Sequence, residues 1–211
     1  MKAAVGFLHA GAASRDATIA ALVRCGKESA ATHLVDSSLV DPNAQEFPID
    51  DKRYQAILSR AWELAAQADR IVLTCSAYNA VVPSLREDLG ISVERSDAAG
   101  ARALLGTRGA VGVLVSFPPT RGVVVDYLSE VFAGAEQSRD VRTVIAEAPP
   151  FSTSAEDYRA ALLGALPPLR DCGVLFVSQY SMNAHLDALR EAWGSGPLVS
   201  AVDEMAVALD V

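Results

Sequence analysis

"IVLTCSAYNAVVP" at residues 71–83 is an apolar run that ends on Thr-Cys-Ser and then passes into a helix-like segment. Its tip has an echo. "CSAYNA" at 75–80 aligns with "QYSMNA" at 179–184, an offset of 104 (179 minus 75). A second pair, "AVGFL" at 4–8 and "AVGVL" at 110–114, lies at an offset of 106 (110 minus 4). Two matches at nearly one spacing, each at the same place in its half, imply a duplicated chain.

Working outward, apolar runs at 2–8, 31–35, 70–74, 109–115, 141–146 and 173–178 read as strands buried on both faces, as in parallel sheets. Helical spacing fills 14–26, 51–67, 79–89, 120–136, 154–170 and 181–192. Asp50 or Asp51 is placed to cap the second helix and Ser154 the fifth, and Pro83 sets a helix start close by. Strand and helix in alternation mean α/β with right-handed crossovers. The expected architecture is two pseudo-symmetric lobes, each a parallel sheet flanked by helices, around a cleft. Residues 1–96 form the first lobe and 97–196 the second, with 91–109 as the crossover. The tail 197–211 is a last strand or turn plus helix, packing back on the first lobe.

Composition narrows the function. Of 211 residues, 51% are hydrophobic and 21% charged, enough for a sizeable core. A net charge of −8 without a Lys/Arg cluster argues against nucleic acid. "MKAAVGFLHAGAAS" has one Lys and an interrupting His9, a better first strand than secretory signal. No run reaches the roughly 18 apolar residues of a membrane span. Three cysteines without CxxC imply neither a disulfide framework nor a metal site, and a reduced cytoplasmic setting. The glycines at 106, 109 and 112 do not spell GxGxxG, and no GxxxxGK[ST] occurs, so a nucleotide-binding reading is weak.

Ligands of open parallel sheets bind beyond the strands' carboxyl ends. Those tips carry His9, Asp36, Cys75, Ser116, Glu147 and Gln179, and the repeat sets Gln179 opposite Cys75. A thiol preceding a helix can be held as thiolate by the helix's positive end, ready as base or nucleophile. The competing reading is a cysteine packed as a small hydrophobe. Cys25 and Cys172 read as structural. Ser76, Ser116, Thr120 and Ser181 are candidate donors to a carboxylate, or simply helix caps. His9 is a candidate carboxylate-orienting residue or a hydrogen-bonded loop histidine. Asp36 is a candidate partner of His9 or of a substrate amine, or a turn residue.

"IVLTCSAYNAVV", "VGVLVSFPPT" and the doubled architecture resemble the Asp/Glu/hydantoin racemase superfamily. "LHAGAAS" and "THLVDSSLVD" resemble the first two strand-loop segments of some members, so the likeness runs from about Val5 to Ala192. It implies a cofactor-independent active site between the lobes, where one cysteine from each lobe removes or returns a proton at the carbon next to a carboxylate. It also implies a small amino or organic acid as substrate, and a homodimer. Here Gln179 stands where the second cysteine is expected, and an amide does not exchange protons near neutral pH. Three mechanisms follow. Tyr180, His9 or Glu147 serves the second face; or Cys75 alone protonates the carbanion left by decarboxylation; or Cys75 adds to a double bond in a cis-trans isomerase. A non-catalytic carboxylate-binding protein is the alternative outside enzymes.

Overall fold

The computed structural model describes residues 2–41, 44–147, 154–194 and 196–210. Strands β1 (Val5–His9), β2 (Ala31–Val35), β3 (Arg70–Leu73) and β4 (Ser92–Glu94) form one parallel sheet in the order β2-β1-β3-β4. Strands β5 (Val111–Val115), β6 (Val141–Ile145), β7 (Val174–Val177) and β8 (Leu198–Ser200) form a second, in the matching order β6-β5-β7-β8. Helices α1 (Ala12–Arg24), α2 (Asp51–Ala65), α3 (Val82–Leu89) and α4 (Ala98–Leu104) belong to the first half, and α5 (Thr120–Gly134), α6 (Ala155–Gly164), α7 (Leu186–Trp193) and α8 (Ala201–Ala208) to the second. Every residue of the central strands β1, β5 and β7 is buried, which is why they read as unbroken apolar runs.

The duplication reaches single residues. Asp50 caps α2 through the Arg53 N–H, and Ser154, 104 positions on, caps α6 through the Asp157 N–H. Asn79 accepts the Ser96 N–H and donates to the Ser96 hydroxyl, both at 3.1 Å. Its counterpart Asn183 accepts from Ser200 at 3.3 Å. Each repeated asparagine thus ties the turn after the third strand of its half to the end of the fourth.

One apolar cluster runs through both lobes, from Phe7 and Leu22 to Val113, Phe176 and Met205. Two outer clusters lie beneath α2 and α3 and beneath α6 and α7. The crossover at 91–109 holds β4 and α4, neither expected from the sequence. β4 is only three residues long, and α4 is built of alanines that carry no amphipathic stripe. Gly100 shows why: a Cβ there would stand 2.6 Å from the Phe176 ring and 3.1 Å from the Ala201 Cα. The tail divides rather than packing wholly on the first lobe. β8 pairs with β7, because a buried strand needs a hydrogen-bonding edge. α8 does return to α1, where Arg24 pairs with Asp203 and the Lys27 ammonium donates to the carbonyls of Ala206, Val207 and Leu209. A cation at those terminal carbonyls also suits the helix dipole.

At the entry to β7, a Cβ on Gly173 would lie 2.1 Å from the Arg108 carbonyl oxygen. Backbone cannot yield as a side chain tip can. Gly173→Ala is expected to destabilise by about 3 kcal/mol, a loss of roughly 6–12 °C in Tm for a chain of this size. An unchanged thermal melt would contradict the close approach.

Candidate active site

β3 ends at Leu73, but the Thr74 N–H still bonds the Leu8 carbonyl at 3.0 Å, holding the chain in register one residue longer. Cys75 then turns the backbone into a 3₁₀ segment, Ser76–Val81, which runs directly into α3 with Pro83 in its first turn. The same construction follows β7: Gln179, a 3₁₀ segment at Tyr180–His185, then α7. Between the two tips lies a cavity of about 30 Å³, room for a water or two. The first lobe lines it with Ala10, Ser14, Thr74, Cys75 and Ser76, and the second with Phe117, Gln179, Tyr180 and Ser181.

Cys75 is half-buried, and it lines this small cavity. Burial pushes its thiol pKa from 9.0 up to about 11; hydrogen bonds from the Ala77 and Tyr78 backbone N–H groups act against that without overcoming it. The expectation of a stabilised thiolate is therefore corrected. Desolvation outweighs the N–H groups at the helix start, and the resting sulfur carries its proton.

Gln179 faces the cavity with its amide orientation fixed. Its Oε1 accepts the Ser116 N–H at 2.7 Å and the Ser116 hydroxyl at 3.1 Å, so this atom must be the carbonyl oxygen. Its Nε2 donates to Thr120 Oγ1 at 3.2 Å, and the Thr120 hydroxyl in turn donates to the Phe117 carbonyl at 2.8 Å. Tyr158, reaching in from α6, closes the network with a 2.8 Å bond to the Ser116 hydroxyl and a 3.5 Å contact to Ser181. Ser116 and Thr120, read from the sequence as substrate donors or helix caps, are buried supports of Gln179 and do not line this cavity. Ser76 does line the cavity, and its hydroxyl has no protein partner among the described residues.

Of its two readings, His9 takes that of a hydrogen-bonded histidine, lying fully buried behind Thr74. Its ring follows Phe7 on the same face of β1, stacked with Phe7 and with His33 of β2. The Thr74 hydroxyl donates to the Leu8 carbonyl at 3.0 Å, so it accepts from His9 Nδ1–H at 3.0 Å. His9 Nε2 then accepts from His33 Nδ1–H at 3.0 Å. Both ring nitrogens of His9 are engaged, and its work is to hold Thr74. Burial, then the neighbouring His33 and Arg15, lower its pKa from 6.5 to about 3. His9 is neutral when folded and basic when unfolded. The stability this contributes is present above about pH 6.5 and is lost as pH falls toward 3. By about pH 5 the loss reaches about 2 kcal/mol. His9→Gln, which cannot titrate, is expected to lose that much less between pH 7 and pH 5 in urea melts. Equal losses would contradict a neutral His9.

The remaining tips are committed elsewhere. Asp36 accepts from Ser38 and pairs with Arg60 at 2.7 Å, and Glu147 is exposed. Asp36 is a turn residue here and no partner of His9. Tyr180 lines the cavity, yet its hydroxyl is buried without a hydrogen-bond partner, and burial, with the carboxylates of Asp97 and Glu94 adding to it, raises its pKa well above the ordinary phenol value. Cys172 lies under β5 against Gly112, as expected of a structural cysteine. Ala10, Ser14, Thr74 and Phe117 were given no role of their own from the sequence, although all four lie inside the motifs LHAGAAS, Thr-Cys-Ser and VGVLVSFPPT. Tyr158 gave no signal, since it arrives from a helix far along the chain. Among the described residues, no three His, Cys, Asp or Glu side chains gather as metal ligands would, and no helix is long and apolar enough to cross a membrane.

Two parallel four-stranded sheets with facing tips define the class: a two-lobed α/β fold, which solved glutamate, aspartate and allantoin racemases share. Glutamate racemase from Bacillus anthracis superposes with a TM-score of 0.76 at 18% identity, covering 97% of this chain and 79% of that one. Picrophilus torridus aspartate racemase gives 0.68 at 13% identity, covering 99% and 92%. Allantoin racemase from Pseudomonas fluorescens gives 0.65 at 15% identity, covering 96% and 87%. No protein-family model and no curated protein sequence matches the chain. The likeness is one of fold.

Proposed function

We propose that this protein delivers a proton to one face of the carbon next to a carboxylate in a small organic acid, with the Cys75 thiol as donor. The observation that carries the reading is the pairing across the cavity: a protonated thiol on one wall and a locked amide on the other. A thiol with a pKa near 11 is better suited to give a proton to a carbanion than to take one from carbon. Decarboxylation supplies such a carbanion. The bond from the α-carbon to one carboxyl breaks, carbon dioxide leaves, and the electron pair stays on carbon. The Cys75 proton then forms the new C–H bond, and solvent restores the thiol. Gln179 contributes the amide N–H left over from Thr120, and Ser76 and Ser181 contribute hydroxyls, toward charge growing on the remaining carboxylate.

A whole substrate exceeds the cavity, so binding requires the two walls to part and close again. The test is proton NMR in D₂O on amino, hydroxy and arylmalonic acids. Loss of carbon dioxide with deuterium at the α-carbon supports the reading; no reaction across the panel sinks it. One observation favours a second reading, in which both faces are served. The Tyr180 hydroxyl is a buried donor without a partner on the Gln179 side. A mixed-handed product that becomes single-handed in Tyr180→Phe would establish it.

A further inference from the structure

Resting on that reading of the site, we infer that the acid it holds carries no ammonium group. None of the side chains on the cavity wall is Asp, Glu, Lys or Arg. The carboxylates of the surrounding loops are spoken for. Asp36 pairs with Arg60, Asp16 with Arg15 at 2.8 Å, and the fully buried Asp97 takes both forks of Arg95 at 2.9 and 3.1 Å. Glu147 stands exposed at the end of β6 and does not line the cavity. The residues outside the described set include no Asp or Glu.

A carboxylate can be met by this wall. Its charge is offset by the Ser76 and Ser181 hydroxyls and by the free N–H of Gln179, all neutral donors. An ammonium beside that carboxylate would lose its hydration and find only neutral hydroxyl oxygens, with those of Ser14 and Thr74 not drawn on by the carboxylate. Those already spend their protons on the Gly11 and Leu8 carbonyls. Dipoles of that kind recover only part of a buried cation's lost hydration. Ala10 and Phe117 offer the opposite environment, an apolar surface suited to a methyl, alkyl or aryl substituent. The substrate class is thus an α-substituted carboxylic acid, and the amino acids whose names attach to the structural neighbours are excluded by charge rather than by size.

Pairs that exchange an ammonium for a methyl group of the same shape isolate this effect: phenylglycine against 2-phenylpropionate, and alanine against isobutyrate. Binding to the wild-type protein is measured by NMR shift titration, without reference to turnover. The methyl acid of each pair is expected to bind at least tenfold tighter, roughly 1.4 kcal/mol or more. Equal or tighter binding of the ammonium acid overturns the inference, as does failure of all four to bind. Ser181→Asp places a carboxylate on the wall at a half-buried position and is expected to narrow or reverse the preference. A preference unchanged in a folded Ser181→Asp protein also overturns it. Tight binding of the methyl acids, with no Cys75-dependent chemistry on any acid, would instead sink the catalytic reading and leave this one standing.

Discussion

Cys75→Ala is expected to lower the rate of deuterium delivery to the α-carbon by about 10³-fold, within the usual span for a positioned acid. The loss should fall on kcat, with KM nearly unchanged, because a proton donor acting as proposed would meet the reacting carbon and no other part of the ligand. Structure should survive, since the sulfur fills little space and its hydrogen bonds are two backbone N–H groups at a helix start. The pH profile adds a second check. If the protonated thiol is the active form, kcat/KM of the wild type stays level through neutral pH and falls only as pH rises through about 11. A fall beginning between pH 7 and 9 would mean an ordinary, exposed thiol. Activity rising with pH would mean that the thiolate is the working species.

Gln179→Glu tests the other wall and is expected to cost about 10²- to 10³-fold in kcat/KM at neutral pH, the scale of losing one donor at a developing oxyanion. One carboxylate oxygen can still accept both Ser116 bonds. The other would face Thr120 Oγ1, whose proton already goes to the Phe117 carbonyl, so two acceptors would meet where a donor had been. The new charge would also repel the ligand's carboxylate. Burial raises a carboxyl pKa. Activity of Gln179→Glu should therefore recover as pH is lowered and the side chain regains a proton, while the wild type stays level. Full activity at neutral pH would show that the amide N–H has no part in the reaction.

The doubled architecture was legible because strand tips and helix caps recur at one spacing, and Asn79 and Asn183 hold equivalent bonds. β4 and α4 were hidden by their brevity and by α4's alanines, which pack closely through Gly100 instead of forming an apolar stripe. At the site, chain position found Cys75, Ser76, Gln179, Tyr180 and Ser181 on the cavity wall. It could not tell wall from support. Ser116 and Thr120 sit one layer behind Gln179, and His9 one layer behind Thr74. For His9 the reason is strand alternation, which turns it to the same face as Phe7. The protonation of Cys75 was also beyond reach, because it depends on how tightly the opposite lobe encloses the sulfur.

The handedness of the product formed in D₂O tests the central claim most directly. With a prochiral α-substituted acid, a proton delivered only from the Cys75 wall gives one enantiomer carrying a single deuterium. A racemic deuterated product, formed during turnover rather than by later exchange, would contradict one-faced delivery and require a second proton carrier on the Gln179 wall.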